Sequence, residues 1–369
     1  MPVGSVSYQS DKRLLSLDFM RGLIMVLLAM ESAGLYEHLS EASVNSSLLH
    51  RFFQQFFHHP WSGLRFWDLI QPGFMFVAGT AMAFSLHKQA SQGLTWNQSF
   101  RKILKRCFWL FFWGVLIYAV KPKGLSFELW NVLTQLSFTT FVAFLIFRLS
   151  SATQIIICLG LLLLTEVLYR FTDIPGFDHP FTDQHNFGNY TDLILMNKIN
   201  QDGWVAINCI PTAVHTIAGA LAGKILLSKQ QKIKPLLIWA FVCLVTGYGL
   251  DFAGVTPIIK RIATSSFTLA SLGWCLAGLA ACYWWIDIRN HKKHLQFFTI
   301  VSMNSIFIYL FFEILGGWFN RYAGTVTNGL MGFINTPENI KLIITSLCIF
   351  TLEWLLCYFL YRKKIFFKL

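Results

Sequence analysis

Apolar runs of about twenty residues recur from one end of the chain to the other, separated by short polar stretches. A helix rises about 1.5 Å per residue, so each run can cross a hydrocarbon core of about 30 Å. The pattern predicts ten spans, near 15–35, 66–87, 103–120, 131–148, 153–170, 205–227, 235–253, 265–286, 295–318 and 340–361. These runs lack the polar stripe of a surface helix in a soluble protein. The expected fold class is therefore all-α, a polytopic integral membrane protein of about 10–11 transmembrane helices. Residues 1–12 read as a polar cytoplasmic tail, and 13–369 as a single membrane domain with no second soluble unit. No internal repeat stands out, which argues against an inverted-repeat transporter.

Two connections are longer than a turn. The first, near 36–65, contains RFFQQFFHHPWSGL, aromatic enough to lie on the membrane interface or fold back on the bundle. The second, near 171–204, contains FTDIPGFDHPFTDQHNFGNYTD, the composition of an ordered polar loop. Loops held on a rigid scaffold are where binding groups concentrate.

Composition agrees with the hydropathy pattern. The 369 residues are 55% hydrophobic and 13% charged, where a soluble domain carries about a quarter charged residues. The net charge of +12 invites a nucleic-acid reading, but 19 of the 30 Lys and Arg cluster on segments of one side if the amino terminus is inside. That is the positive-inside rule, so the basic excess reads as topology, with both termini cytoplasmic and no nucleic-acid partner. The loop from Lys88 to Arg106 and the basic residues 362–364 are also available to anionic membrane lipid or an anionic cofactor. All eight cysteines fall within predicted spans and no CxxC pair occurs, so neither a disulfide framework nor a thiolate zinc site is expected. Asp18, Arg21 and Glu31 interrupt the first apolar run, which is unlike a cleavable signal peptide.

Ionisable residues inside spans are costly and by default mark function. In SLDFMRG, Asp18 and Arg21 stand three apart on a helix at the inner mouth, able to neutralise one another or to meet an anionic cofactor. Glu31 comes near the outer end of the first span and Asp68 opens the second, both close in sequence to His58 and His59. A histidine–carboxylate cluster at the outer face suits proton transfer or nucleophilic acyl transfer. Asn304 and Ser305 in the ninth span, with Gln71, are candidates for hydrogen bonds to a donor or a developing oxyanion. His215 reads as a core histidine, and Glu313 lies toward the outer end of the ninth span. Asp178, His179, Asp183 and His185 match no metal-ligand spacing, so no metal is expected. The chain has no Walker A loop, no GxSxG elbow and no HExxH.

These residues resemble a known family. RLLSLDFMRGLIM (13–25), HHPWSGLRFWDLIQPGFMFVAGTAMAFSL (58–86), NFGNYTDLIL (186–195), INCIPTAVHTIAGALAG (207–223), PIIKRIATSSFTL (257–269) and SMNSIFIYLFFE (302–313) run in the order of its segments. The family is the transmembrane N-acetyltransferases of heparan-α-glucosaminide N-acetyltransferase type, including NagX-like bacterial proteins, and the second block is the most specific match. The resemblance implies a multi-pass acyltransferase of the bacterial inner membrane. It would take cytosolic acetyl-CoA as acyl donor and an amino sugar of glucosamine type, or a glycan carrying one, as exterior acceptor. It implies a catalytic role for His58, which stands three residues before the Trp of that block and beside His59, with Asp68 and Glu31 near it. Arg21 and Asp18 at the inner mouth, with Asn304 and Ser305, are the candidates to bind the donor. Two positions depart from the family pattern. Glu31 stands where the family has Asn, and V-L-T-Q (132–135) lacks the Arg of V-L-Q-R. A covalent acetyl-histidine and a direct transfer in a ternary complex both remain open. So does a different class of protein, a transporter of amino sugars or oligosaccharides using the same polar core. The small-residue face GALAG (219–223) makes a homodimer possible.

Overall fold

The computed structural model describes residues 14–121, 124–332 and 336–367. The expected tail at 1–12 lies outside the described residues. Helices α1 (Leu15–Ser32), α2 (Leu35–Ala42) and α3 (Ser47–Phe53) lead to α4 (Ile70–Ser91) and α5 (Trp96–Ala119). Next come α6 (Val132–Ile146), α7 (Ser151–Phe171), α8 (Phe187–Met196), α9 (Cys209–Leu227) and α10 (Ile233–Phe252). The chain continues through α11 (Ser265–Cys282), α12 (Leu295–Met303), α13 (Ser305–Phe311), α14 (Gly317–Gly332) and α15 (Glu338–Arg362). One two-stranded hairpin, Val120–Lys121 with Gly124–Leu125, is the only strand pairing among the described residues besides an isolated bridge.

Every expected span contains a helix, but the spans are not alike. Six helical stretches are long and apolar enough to cross a membrane unaided, and two bent pairs bring the count to eight. That is fewer than the ten expected. The difference lies in α5, whose first half carries Arg101, Lys102, Lys105 and Arg106, and in α6, which has only 15 residues. The bends lie between α1 and α2 (65°) and between α12 and the helix that follows (72°). At the first bend Gly34 takes φ 73°, a left-handed conformation that a residue with a Cβ adopts only with strain. At the second, Asn304 leaves helical geometry at φ −123°, ψ 32°.

Helix α4 lies along α9, α10 along α11, α5 along α6 and α1 along α12. The α4–α9 contact is close because a glycine on each helix faces the partner's backbone. A Cβ on Gly79 would collide with the Thr216 carbonyl, and one on Gly219 with the Phe76 carbonyl. Small residues allow such backbone approach where lipid gives no hydrophobic drive for helix association. Asn131 ties α5 to α6. Its carbonyl oxygen caps the Leu133 and Thr134 amides at 3.1 and 3.0 Å, and its amide donates to the Gly114 carbonyl at 3.1 Å. Asp287, in the π-helical segment Tyr283–Ile288 that continues α11, accepts from the Leu15 and Ser16 amides at 3.2 and 3.1 Å and so holds the start of α1.

Candidate active site

Two loops at the same end of the bundle build the site. The first, 57–65, precedes α4, and the second, 256–264, joins α10 to α11. They clasp each other through the Gly63 amide, which donates to the Ile258 carbonyl at 2.7 Å, and through Arg261, which donates to the Pro60 carbonyl. Gly63 has φ 141°, and any side chain there would strike the His59 ring. Trp61 anchors the first loop to the 171–204 connection by donating Nε1–H to the Phe181 carbonyl at 2.8 Å. Arg65 folds back to donate to the His58 carbonyl at 3.1 Å.

Inside this clasp His58, Asp68 and Lys260 meet. Asp68 is 0% exposed and Lys260 7%, while the His58 side chain remains 37% exposed. Asp68 Oδ1 lies 3.0 Å from His58 Nδ1 and 3.7 Å from Lys260 Nζ. Its other oxygen accepts the Arg65 and His59 amides at 2.9 and 3.2 Å. Lys260 Nζ is also 3.0 Å from His58 Nδ1. One ring nitrogen cannot both donate to the carboxylate and accept from the ammonium. The charge-assisted bond to Asp68 is the stronger, so Nδ1 carries the proton and Nε2 keeps its lone pair. Lys260 then pairs with Asp68 and sits 5.3 Å over the Trp204 ring, whose edge also meets His58 at 5.7 Å. Burial first, then the Lys260 charge, hold the His58 imidazole below its ordinary value of 6.5. Burial brings Lys260 down to about 8 against the pull of Asp68.

His58 faces a cavity of about 250 Å³ whose lining includes Glu31, Trp67, Gln71, Tyr118, Trp130, Asn131, Trp204, Lys260, Tyr309 and Glu313. Glu31 Oε1 accepts from Trp67 Nε1 at 3.0 Å, and Glu313 Oε2 from the Tyr118 hydroxyl at 3.2 Å. Gln71 donates to Gln135, which donates to Asn208 at 2.7 Å, which donates to the Arg261 carbonyl at 3.1 Å. This chain of amides locks α4, α6, the start of α9 and the second loop into one register. Trp130 is fixed by Asp192, which accepts its Nε1–H at 2.7 Å and the Ala206 amide at 2.9 Å. Burial carries the Asp192 carboxyl up to about 7 even so. A larger groove of about 800 Å³ between α7, α9, α10 and α11 is lined by no histidine and no carboxylate.

Of the residues singled out from the sequence, His58, Asp68 and Glu31 thus come together. The His59 ring turns away over Gly63 and contributes only its backbone amide to Asp68. Asp18 is buried and Arg21 half-buried, both toward the other end of α1. Ten residues of helix separate Arg21 from Glu31, roughly 15 Å along the axis. Asn304 and Ser305 do not line the cavity. The Asn304 amide donates to the Ile365 carbonyl and accepts the Phe367 amide, each at 3.1 Å, and so ties the chain after α15 to the helix break. His215 is a core histidine, bonded to the Ser271 hydroxyl at 2.8 Å. His179 pairs with Asp178, and His185 bonds the Gly176 carbonyl. Among the described residues no group of three or more His, Cys, Asp or Glu could hold a metal ion. Lys260, Glu313, Tyr118 and the two cavity tryptophans, Trp130 and Trp204, are the members that sequence reasoning did not assemble. The available signal for Lys260 was a lone lysine in PIIKR, on the side where basic residues are sparse.

The chain is similar along nearly its whole length to heparan-alpha-glucosaminide N-acetyltransferase. The relationship is distant homology. The human protein is 23% identical over an alignment that covers 97% of this chain and 60% of its own length. The mouse protein is also 23% identical, with 98% and 61% covered. The chain therefore spans about three-fifths of the length of these relatives. No family model matches it.

Proposed function

We propose that this multi-pass membrane protein is an N-acetyltransferase. It moves the acetyl group of cytosolic acetyl-CoA to the amine of an amino sugar at the opposite face of a bacterial inner membrane. The observation that carries the reading is the His58–Asp68–Lys260 cluster in the wall of a cavity that also holds carboxylates and aromatic rings. An acyl transfer from a thioester to an amine needs a neutral base or nucleophile beside the carbonyl. His58 supplies it, with Asp68 fixing the tautomer and Lys260 disfavouring the imidazolium. In one route Nε2 attacks the thioester, the C–S bond breaks and the acetyl-imidazole passes its acetyl group to the amine. In the other, Nε2 takes a proton from the acceptor nitrogen as that nitrogen attacks the thioester directly. The donor's phosphates would meet cations at the other end of the bundle, where Arg101, Lys102 and Lys105 are exposed on α5.

The test uses purified protein in nanodiscs with radiolabelled acetyl-CoA, offered glucosamine and small amino-sugar glycans. Transfer that survives His59→Ala and vanishes in a folded His58→Ala variant supports the enzyme and its residue. A label that stays on the protein without acceptor, and leaves when glucosamine is added, selects the covalent route. No transfer to any amine, together with counterflow of unmodified sugar in liposomes, would remove the enzyme reading in favour of a transporter.

A further inference from the structure

We infer that Glu31 and Glu313 seat the acceptor's ammonium group, making the site selective for a small primary amine carried on a single sugar-sized ring. This rests on the acyl-transfer reading above and specifies what that reaction accepts.

The two carboxylates arrive from different elements, Glu31 from the last turn of α1 and Glu313 from the π-helical segment Phe312–Gly316 that follows α13. Both line the cavity of about 250 Å³ that His58 faces. Their hydrogen bonds come from neutral groups, Trp67 for Glu31 and the Tyr118 and Tyr309 hydroxyls for Glu313, and among the described residues neither makes an ion pair. Two acidic side chains open to one small cavity repel each other, an arrangement that a cation between them relieves. Lys260 is the cation lining the same cavity; it pairs with Asp68, lies over the face of Trp204 and also acts on Glu31, one cation against three carboxylates. The balance left over is negative, which fits an incoming ammonium and disfavours an acceptor of hydroxyl type.

The rest of the wall fits a sugar. Trp130 and Trp204 offer flat apolar faces for ring C–H groups, and Gln71 offers its amide oxygen to a hydroxyl. The volume lies below the roughly 300–1,000 Å³ of sites for drug-sized ligands, so one ring enters rather than the interior of a polymer. Proton accounting agrees. An ammonium must lose two protons when its nitrogen becomes an amide, one to the departing CoA thiolate and one to solvent. A seat carboxylate can take the first as the ammonium becomes a nucleophilic amine, and His58 the second.

The test measures binding of glucosamine, glucose and N-acetylglucosamine to the full chain in nanodiscs, without acetyl-CoA. The isosteric Glu31→Gln and Glu313→Gln keep an acceptor for Trp67 and Tyr118, and their folding is checked by thermal unfolding. The wild type is expected to bind glucosamine at least tenfold tighter than glucose or N-acetylglucosamine. Either variant should erase most of that preference and leave glucose binding unchanged. Glucosamine bound no better than glucose, or equally well by wild type and both variants, would overturn the seat. The same proteins are then assayed for transfer, where Glu31→Gln should raise the KM for glucosamine at least tenfold and lower kcat less. Transfer with an unchanged KM sinks the seat and spares the enzyme. Glutamate-dependent glucosamine binding without any transfer spares the seat and sinks the enzyme.

Discussion

Which nitrogen of His58 carries a proton is the smallest variable on which the proposed chemistry turns, and two neighbours and burial set it. Asp68 holds the proton on Nδ1, Lys260 opposes a second proton, and partial burial adds to that opposition. A base with a lowered pKa becomes competent as pH rises through that lowered value. Acetyl transfer is therefore expected to fall on the acid side with an inflection below 6.5 in a kcat/KM–pH profile. Lys260→Met removes one of the lowering influences and leaves the raising influence of Asp68, so the inflection should move up. An inflection that stays put in Lys260→Met would show that the lysine does not tune the imidazole. Asp68→Asn tests the tautomer. An amide can donate to Nδ1 and send the proton to Nε2, where it blocks both routes, so kcat should fall by about a hundredfold or more with little change in KM. The histidine and the two carboxylates were legible in the sequence because charged groups stand out against apolar spans. Lys260 was not, because it sits in a loop more than 200 positions from His58, and nothing local in PIIKR reports which loop it will clasp.

At the scale of elements, hydropathy located the helices but not their directions or contacts. The run 295–318 reads as one span, yet the chain bends by 72° at the break around Asn304 and then takes a π-helical turn at 312–316. Apolar content measures how much of a segment leaves water and carries no information about backbone angle. The π-helical turn brings Glu313 into the cavity wall, which is where such irregularities are often found at functional sites. The α4–α9 crossing was equally hidden, since GALAG read as a face for a second copy of the chain, whereas Gly219 packs inside against Phe76. That crossing sets the register of α4, whose first turn carries Gln71 and which follows directly on the 3-10 turn Phe66–Leu69 that carries Asp68. Gly79→Leu is thus expected to destabilise by about 1–3 kcal/mol or more, because the backbone it would strike cannot yield as a side chain can. Gly278→Leu, at a glycine with nothing within contact range, should leave thermal unfolding in detergent nearly unchanged. Equal shifts for both variants would mean that the close approach is not what holds these helices together.

For the whole molecule the open question is which side of the membrane meets His58, and helix length narrows it. Helix α4 has 22 residues, about 33 Å of rise, between the His58 loop at its start and the basic loop after Ser91 at its end. A hydrocarbon core is about 30 Å thick, so a helix of this length can carry the two loops to different compartments. On the positive-inside rule, the clustering of Lys and Arg would put the basic loop inside and the histidine outside. Donor and acceptor would then approach the cavity from opposite ends, and the acetyl group would cross while its carrier stays behind. Single cysteines at Ser47 and Gln92, both exposed positions on the two ends, read this directly against the native cysteines that lie within the helices. In intact cells an impermeant maleimide should label Ser47→Cys but not Gln92→Cys, and after permeabilisation it should label both. The reverse pattern would put His58 on the side that already holds acetyl-CoA. Transfer could then still occur, but as an ordinary cytosolic acetylation by a membrane-bound enzyme. The separation of Arg21 from Glu31 along α1 would then need a reason other than a path across the bilayer.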